Sequence, residues 1–403
     1  MEKFKTLVWD LLLLVSAFAL AFFLLNAANQ NYNLVLISVD SLRPDYLNSP
    51  NIDKLASSST VFSNSYSIYP SSVGSYYTLF TGNNYLIGNE LAILKYINDF
   101  DSTKSSDYSN LTTLLKKNGF NTAAFVSNPK LQKEIFKTGF DEFVFDSDNA
   151  SLVDKANAKI KLLADRGFFV WVDFNLAKEN LVTCPVGAWT QDEYDKTVKE
   201  YDQNVKEVDS RVGQLVDYLK KVGLDKNTVV VFYSDKGENF DSRFYSLSKT
   251  LDNADIKSVL MVKQPQKQAK EVVKEAIDNS MVSSLILNQI GYARPLKNLQ
   301  KFVNKGLTFF RLSYGKNLKI GVTDSKFKYV YNLTTDGCLP EKDSQAFYDL
   351  IADPEGKNNL IDDPANVEMI GKFKEELSKA TRVSIQKPGE PVNVLEKLKS
   401  LGY

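Results

Sequence analysis

The sequence predicts an α/β protein: a mainly parallel sheet sandwiched by helices, a small C-terminal antiparallel sheet subdomain, and an N-terminal transmembrane helix. Three observations predict it. Apolar runs of strand length alternate with amphipathic helical stretches through most of the chain, the pattern of a parallel sheet covered on both faces. After residue 300 the texture changes to short runs divided by Gly, Asn and Asp turns. The chain also opens with lysines followed by a long, mainly apolar stretch that tolerates Asp10 near its start. These features divide the 403 residues into an anchor at 1–30, an α/β domain at 31–300 and a C-terminal sheet-and-helix subdomain at 301–403.

The anchor comes first. Lys3 and Lys5 precede an apolar run from Leu11 to Leu25, extended backward through Leu7, Val8 and Trp9. That approaches the roughly 20 residues needed to span a bilayer. A cleaved signal peptide is the competing reading. The run is long for one, and Asn26-Ala27-Ala28 is a poor small-x-small cleavage site. Positive charge ahead of the helix places the N-terminus in the cytoplasm. The expected state is therefore membrane-anchored and single-pass, with the C-terminal domain extracytoplasmic. Three N-x-S/T sequons, at Asn110, Asn149 and Asn332, are glycosylation candidates for such an ectodomain. Cys184 and Cys338 are disulfide candidates there. Neither lies in a metal-binding spacing, and spacing alone leaves paired and free thiols both open.

The elements follow in order. Asn33–Val39 reads as the first strand, and Asn51 as the cap of a short helix through Ala56. Leu111–Lys117 is a helix ended by Asn118-Gly119, and Thr122–Val126 a strand. Gly167–Phe174 is a continuous apolar strand of the doubly buried kind. From Glu193 to Val222, Val198, Tyr201, Val205, Val208, Val212, Leu215 and Leu219 recur at helical spacing. Gly223 closes that helix, and Thr228–Tyr233 is the next strand. Leu307–Tyr314, Leu318–Thr323, Phe327–Asn332 and Gln345–Leu350 read as an antiparallel meander. Helices are expected at Val367–Lys379 and Val392–Leu401.

Charge and composition bound the chemistry. Lys+Arg and Asp+Glu are both 49, so the net charge is zero and no basic face calls for nucleic acid. There is no histidine. A Ser-His-Asp triad and a His-rich two-zinc site are both impossible. Asp40 and Asp235 each follow a β-branched or aromatic run. In a parallel sheet such residues meet in the crevice at the strands' carboxyl ends. Two carboxylates there have the form of metal ligands, although Asp40 also suits a turn cap. Lys236 stands beside the second aspartate. An ammonium has three donors and no lone pair for a metal. Lys236 either neutralises the two aspartates in place of a cation or points to solvent.

Several segments, in order, resemble the sulfatases of the alkaline-phosphatase superfamily. Leu36–Asp45 is similar to the family's first strand and Pro50–Ala56 to its P-N-I-D-x-L-A helix. Leu79-Phe80-Thr81-Gly82 resembles the end of the nucleophile segment. Tyr201–Phe232 follows the family's long helix and turn, and Ser234-Asp235-Lys236-Gly237-Glu238 stands for S-D-H-G-E or S-D-N-G. Tyr348–Leu360 and the tail Leu395–Tyr403 match its C-terminal signatures.

The resemblance implies the alkaline-phosphatase/sulfatase-like fold. Asp40 and Asp235 then keep two positions of ancestral metal ligands. Ser41 replaces a second aspartate common in the family, and Lys236 replaces histidine or asparagine. Counting back from Gly82, the nucleophile position falls on Ser72, within Ser72-Val73-Gly74-Ser75-Tyr76. Ser75 and Tyr76 would then lie at the ligand-binding surface. The proline and arginine needed to mature a formylglycine are missing, so that cofactor is not expected. Lys249 is a loosely aligned anion-binding lysine.

The resulting expectation is a sulfatase-like pseudoenzyme at the cell surface. It has no cofactor, a Lys236–Asp40–Asp235 cluster in place of the ion, and a surface glycan or protein as partner. The alternative is an active sulfuric or phosphoric ester hydrolase using Ser72 with calcium or magnesium. A third reading is a phosphoethanolamine- or glycerophosphate-type transferase at the membrane.

Overall fold

The computed structural model describes residues 32–47, 49–83, 96–103, 108–176, 190–240, 251–265, 267–290, 306–314, 317–333 and 345–381. The expected anchor, Cys184, Cys338, Lys249 and the closing helix at 392–401 lie outside the described residues. Among the described residues no helix is long and apolar enough to cross a membrane.

The described strands of the first part are β1 (Asn33–Asp40), β2 (Thr60–Phe62), β3 (Ser65–Tyr66), β4 (Asn121–Val126), β5 (Glu142–Phe145), β6 (Phe168–Asn175) and β7 (Thr228–Ser234). Then come β8 (Lys257–Ser258), β9 (Leu260–Lys263), β10 (Glu271–Val273) and β11 (Ile277–Asp278). The last four are β12 (Thr308–Tyr314), β13 (Asn317–Thr323), β14 (Phe327–Leu333) and β15 (Gln345–Asp349). Helices α1 (Pro50–Ala56), α2 (Ser72–Thr81), α3 (Leu111–Lys117), α4 (Glu134–Lys137) and α5 (Asn149–Leu162) precede the long α6 (Gln191–Lys221). They are followed by α7 (Asn253–Ile256), α8 (Asn279–Gln289) and α9 (Val367–Thr381).

The main sheet has the order β10-β2-β9-β7-β1-β6-β4-β5. From β7 to β5 every pairing is parallel. β9 runs antiparallel to both β7 and β2. β1 lies at the centre and is buried along its whole length. Its alternate residues supply two cores. Val35, Ile37 and Val39 pack with α1, α5 and α6 on one face. Leu34 and Leu36 pack with α2, α3, α4 and α8 on the other. Side chains on a strand alternate between faces, so a run with no polar gaps requires cover on both.

The C-terminal strands form the antiparallel sheet β12-β13-β14-β15. Neighbouring Phe309 and Phe310 show its two-sidedness. Phe309 joins Ile320, Phe347 and the α9 residues Ile370, Phe373 and Leu377. Phe310 faces the main body, against Tyr66, Leu251 and Ile256. Lys328 crosses the same junction, fully buried, donating to the Leu251 carbonyl (3.1 Å) and Asn253 Oδ1 (2.9 Å).

Two helix starts differ from the sequence reading. The N-cap position of α1 is Ser49, whose side chain makes no capping hydrogen bond, and Asn51 lies inside the first turn. The N–H groups of Asn51 and Ile52 and the Asn51 amide all donate to Asp209 of α6, at 2.8–3.0 Å. A carboxylate from a neighbouring helix thus supplies the cap at the positive end of α1. The approach needs a glycine: a Cβ on Gly213 would lie 2.5 Å from Asn51 Oδ1. α6 begins at Gln191, two residues before Glu193. Thr190 and Glu193 form a reciprocal capping box there.

Removing the Asp209 carboxylate strands two backbone donors in the interior. Asp209→Ala is expected to lower stability by about 2–4 kcal/mol in urea unfolding with an unchanged m-value. Asp202→Ala removes only an exposed pair with Lys206 and is expected to cost under about 0.5 kcal/mol. Lys328 carries a pH signature. Burial pushes its ammonium down to about 8, against the opposing charges of Asp252, Asp255 and Asp353. Between that value and 10.5 the unfolded chain holds a proton that the folded chain has shed, so folding gains with rising pH. Relative to Lys328→Met, the wild type should therefore gain on the order of 3 kcal/mol between neutrality and pH ~10.5. Paired denaturant titrations at the two pH values measure it.

Candidate functional site

The site lies at the carboxyl ends of the central strands, where parallel sheets place their ligands. β1 ends in Asp40. On its neighbour β7, Ser234 pairs with Val39, so Asp235 emerges beside Asp40. β6 flanks the other side and brings Asp173, in register with Ser38. All three acids are buried.

Ser41 turns the chain at the end of β1. Its φ is 63°, unusual for a residue with a Cβ. Its polar atoms are all engaged. The N–H donates to Asp235 Oδ1 at 2.8 Å, and the carbonyl accepts Tyr201 OH at 2.7 Å. The hydroxyl donates to Asp40 Oδ1 at 3.0 Å and accepts from Lys236 Nζ at 2.5 Å. Lys236 is 5% exposed, so it does not point to solvent. Its Nζ also lies 3.4 Å from Glu238 Oε2.

Ser72 is brought into this group. It is the first residue of α2, and its Oγ donates to Asp40 Oδ1 at 2.8 Å. Ser75 and Tyr76 are placed differently from the expectation of a ligand-binding surface. Ser75 Oγ donates to the Asp235 carbonyl (2.6 Å) and meets Tyr233 OH (2.9 Å) and the Asn279 amide (3.0 Å). Tyr76 is fully buried, its hydroxyl donating to Asp173 Oδ1. The helix period turns both into the protein, where they support the crevice from beneath.

Three site residues were not singled out from the sequence. Asn128, just past β4, donates to Asp40 Oδ2 at 3.2 Å. Tyr201, noted only for helical spacing, holds the Ser41 turn from α6. Glu238 completes the charge set around Lys236. Asn128 carried a readable signal in its position past the end of a strand, and Glu238 one in closing the S-D-x-G-E segment.

The charges interact strongly. Burial raises the Asp40 carboxyl, but Lys236, Lys130 and the Ser72 hydroxyl outweigh it and leave Asp40 below the usual carboxylate range. Asp235 is pushed well up by burial and by the charge of Asp40, against the pull of Lys236. Burial and Asp40 raise Asp173 to about 7. Lys236 is held protonated despite burial by Glu238, Asp40 and Asp235.

A divalent ion does not fit this donor set. A hard cation completes its oxygen shell with water, so the groups that face the carboxylates decide the fit rather than the number of protein oxygens. Asn128 turns its nitrogen toward Asp40, its oxygen accepting the Lys130 N–H at 3.0 Å. Among the described residues no three acidic or thiol side chains form a metal-sized group. The ammonium stands one hydroxyl away from Asp40. A double and a single positive charge 4 Å apart repel by about 8 kcal/mol at an effective dielectric of 20.

Of the sequon residues, Asn110 caps α3 and is buried, its amide donating to the Thr138 carbonyl, which closes that position to a glycan in the folded protein. Asn149 is half-buried and donates to Glu207. Asn332 lies half-buried on β14.

No curated protein matches the chain. Solved structures do. A protein of glycosaminoglycan metabolism from Bacteroides thetaiotaomicron superposes with a TM-score of 0.69 at 17% identity, covering 92% of this chain and 99% of its own. The protein yidJ from Bacteroides fragilis gives 0.68 at 18% identity, with coverages of 88% and 97%. The phosphonate monoester hydrolase of Agrobacterium radiobacter gives 0.64 at 15%, with coverages of 87% and 95%. At such identities the likeness carries the fold. The family model described as Sulfatase matches residues 32–165 and 154–292, the segment that holds every strand of the main sheet. The chain belongs to the sulfatase family.

Proposed function

We propose that this sulfatase-family protein is a pseudoenzyme. Its role is structural or binding at the cell surface, as the extracytoplasmic part of a single-pass membrane protein. The observation that carries the reading is the buried ammonium of Lys236 beside Asp40, in a crevice whose described residues do not suit a divalent ion. A crevice that disfavours an ion gives ester hydrolysis no Lewis acid, and Asp173, the carboxyl raised to about 7, is engaged with Ser38 and Tyr76 while Ser72 is bonded to Asp40. The reading includes no formylglycine, because the maturation residues around Ser72 are missing. The old substrate crevice would serve recognition. A surface glycan is the favoured ligand class, since one similar structure acts in glycosaminoglycan metabolism.

The second reading is an active hydrolase of sulfuric or phosphoric esters. One observation favours it: Ser72 Oγ, at the N-terminus of α2, is hydrogen-bonded to Asp40. That pairing suits a serine about to lose its proton to a carboxylate.

Turnover separates the two. Purified protein is offered aryl sulfates, phosphate monoesters and phosphonate monoesters, with and without added calcium or magnesium. The expected result is a rate indistinguishable from Ser72→Ala. Turnover lost both in Ser72→Ala and on chelation would overturn the pseudoenzyme reading in favour of the hydrolase.

A further inference from the structure

The segment that carries Lys236 is pinned. A Cβ on Gly237 would lie 1.9 Å from the Ala254 carbonyl oxygen, so only glycine lets this strand end pass α7. The Gly237 N–H donates to the Asp255 carbonyl at 3.0 Å. With the backbone held there, the lysine stem runs inward. Its Nζ reaches Ser41 Oγ at 2.5 Å, the Gly237 carbonyl at 3.3 Å and Glu238 Oε2 at 3.4 Å.

Ser41 is the joint between the two carboxylates. It reaches Asp235 through its N–H and Asp40 through its hydroxyl. Its left-handed backbone is a conformation that surrounding contacts must enforce. Tyr201 enforces it from the carbonyl side, also accepting the Arg43 N–H at 2.9 Å. Lys236 enforces it from the hydroxyl side. Asp40 and Glu238 both face the ammonium, one through the Ser41 hydroxyl, so removing it leaves their negative charge without this partner and the crevice attracts a cation.

We infer that Lys236 is an internal cation: it holds the Asp40–Ser41 turn against Asp235, lets the crevice fold without metal, and keeps divalent ions out. This rests on the reading of the crevice as metal-free. It adds that the ammonium is the main barrier to an ion, and that removing it opens a divalent-cation site of oxygen ligands on Asp40, Asp235 and water filling the space the ammonium leaves.

The test compares wild type, Lys236→Ala and Lys236→Arg, each as the full chain. Thermal unfolding and isothermal titration are run with calcium, magnesium, manganese and zinc chlorides. The wild type is expected to show no shift with any ion. Lys236→Ala is expected to melt lower and to recover with calcium or manganese, binding at least about tenfold more tightly than the wild type. Adding Asp40→Asn to Lys236→Ala should abolish that response. Lys236→Arg keeps a cation and should stay unresponsive.

If Lys236→Ala does not fold alone, the inference requires its recovery when expressed and purified with calcium. Failure in both conditions overturns it. So does an ion-dependent shift in the wild type, or a Lys236→Ala variant that loses no stability and gains no ion response. Ester turnover by ion-free wild type would overturn the pseudoenzyme reading and leave this inference standing. An ion shift in wild type without turnover would do the reverse.

Discussion

The hydrogen bond from the Lys236 ammonium to the Ser41 hydroxyl organises the crevice. Asp40, Asp235 and Glu238 arrive at the ends of two adjacent strands, away from water. Acids gathered that way repel one another strongly in a low-dielectric interior. One ammonium in their midst, and a hydroxyl that links it to Asp40, make the gathering tolerable. The positions of Ser72, Asn128 and Tyr201 follow, since each bonds to Asp40 or to the Ser41 turn.

Two exchanges relative to the sulfatase pattern are coupled by this contact. Serine at 41 for aspartate removes one negative charge, and lysine at 236 for histidine or asparagine adds one positive charge. Their sum is the charge of a divalent ion. Neither exchange is comfortable alone. An ammonium beside a bound dication would be repelled, and a serine without it would leave the acids less balanced. The scaffold around them is indifferent to the change, because five parallel strands and their two apolar faces set its shape. Fold and chemistry are separable in this way whenever the site sits on strand ends rather than in the core.

Buried charge elsewhere follows the same logic with different outcomes. Asp209 is surrounded by N–H donors from α1 and joins two helices at little electrostatic cost. Lys328 meets two neutral oxygens and the face of Tyr348 at the junction of the two sheets. Its nearest acids act at longer range, so burial dominates and its proton is loosely held.

The strands were legible wherever the apolar pattern had length. Asn33–Val39 was read and Asn33–Asp40 observed, and the four-strand meander matched to within a residue or two at its ends. β2, β5, β9 and β10, of three or four residues, are too short to show a period and were missed. The sequence by itself determined the central strands of the sheet, the delivery of Asp40 and Asp235 to their carboxyl ends, and the loss of imidazole chemistry. Burial patterns and residue types are properties of local segments. Only the tertiary structure decided where Lys236 points, because a lysine stem bends freely. Its direction is set by Gly237 wedged against a carbonyl of α7, a contact between segments that lie apart in the chain.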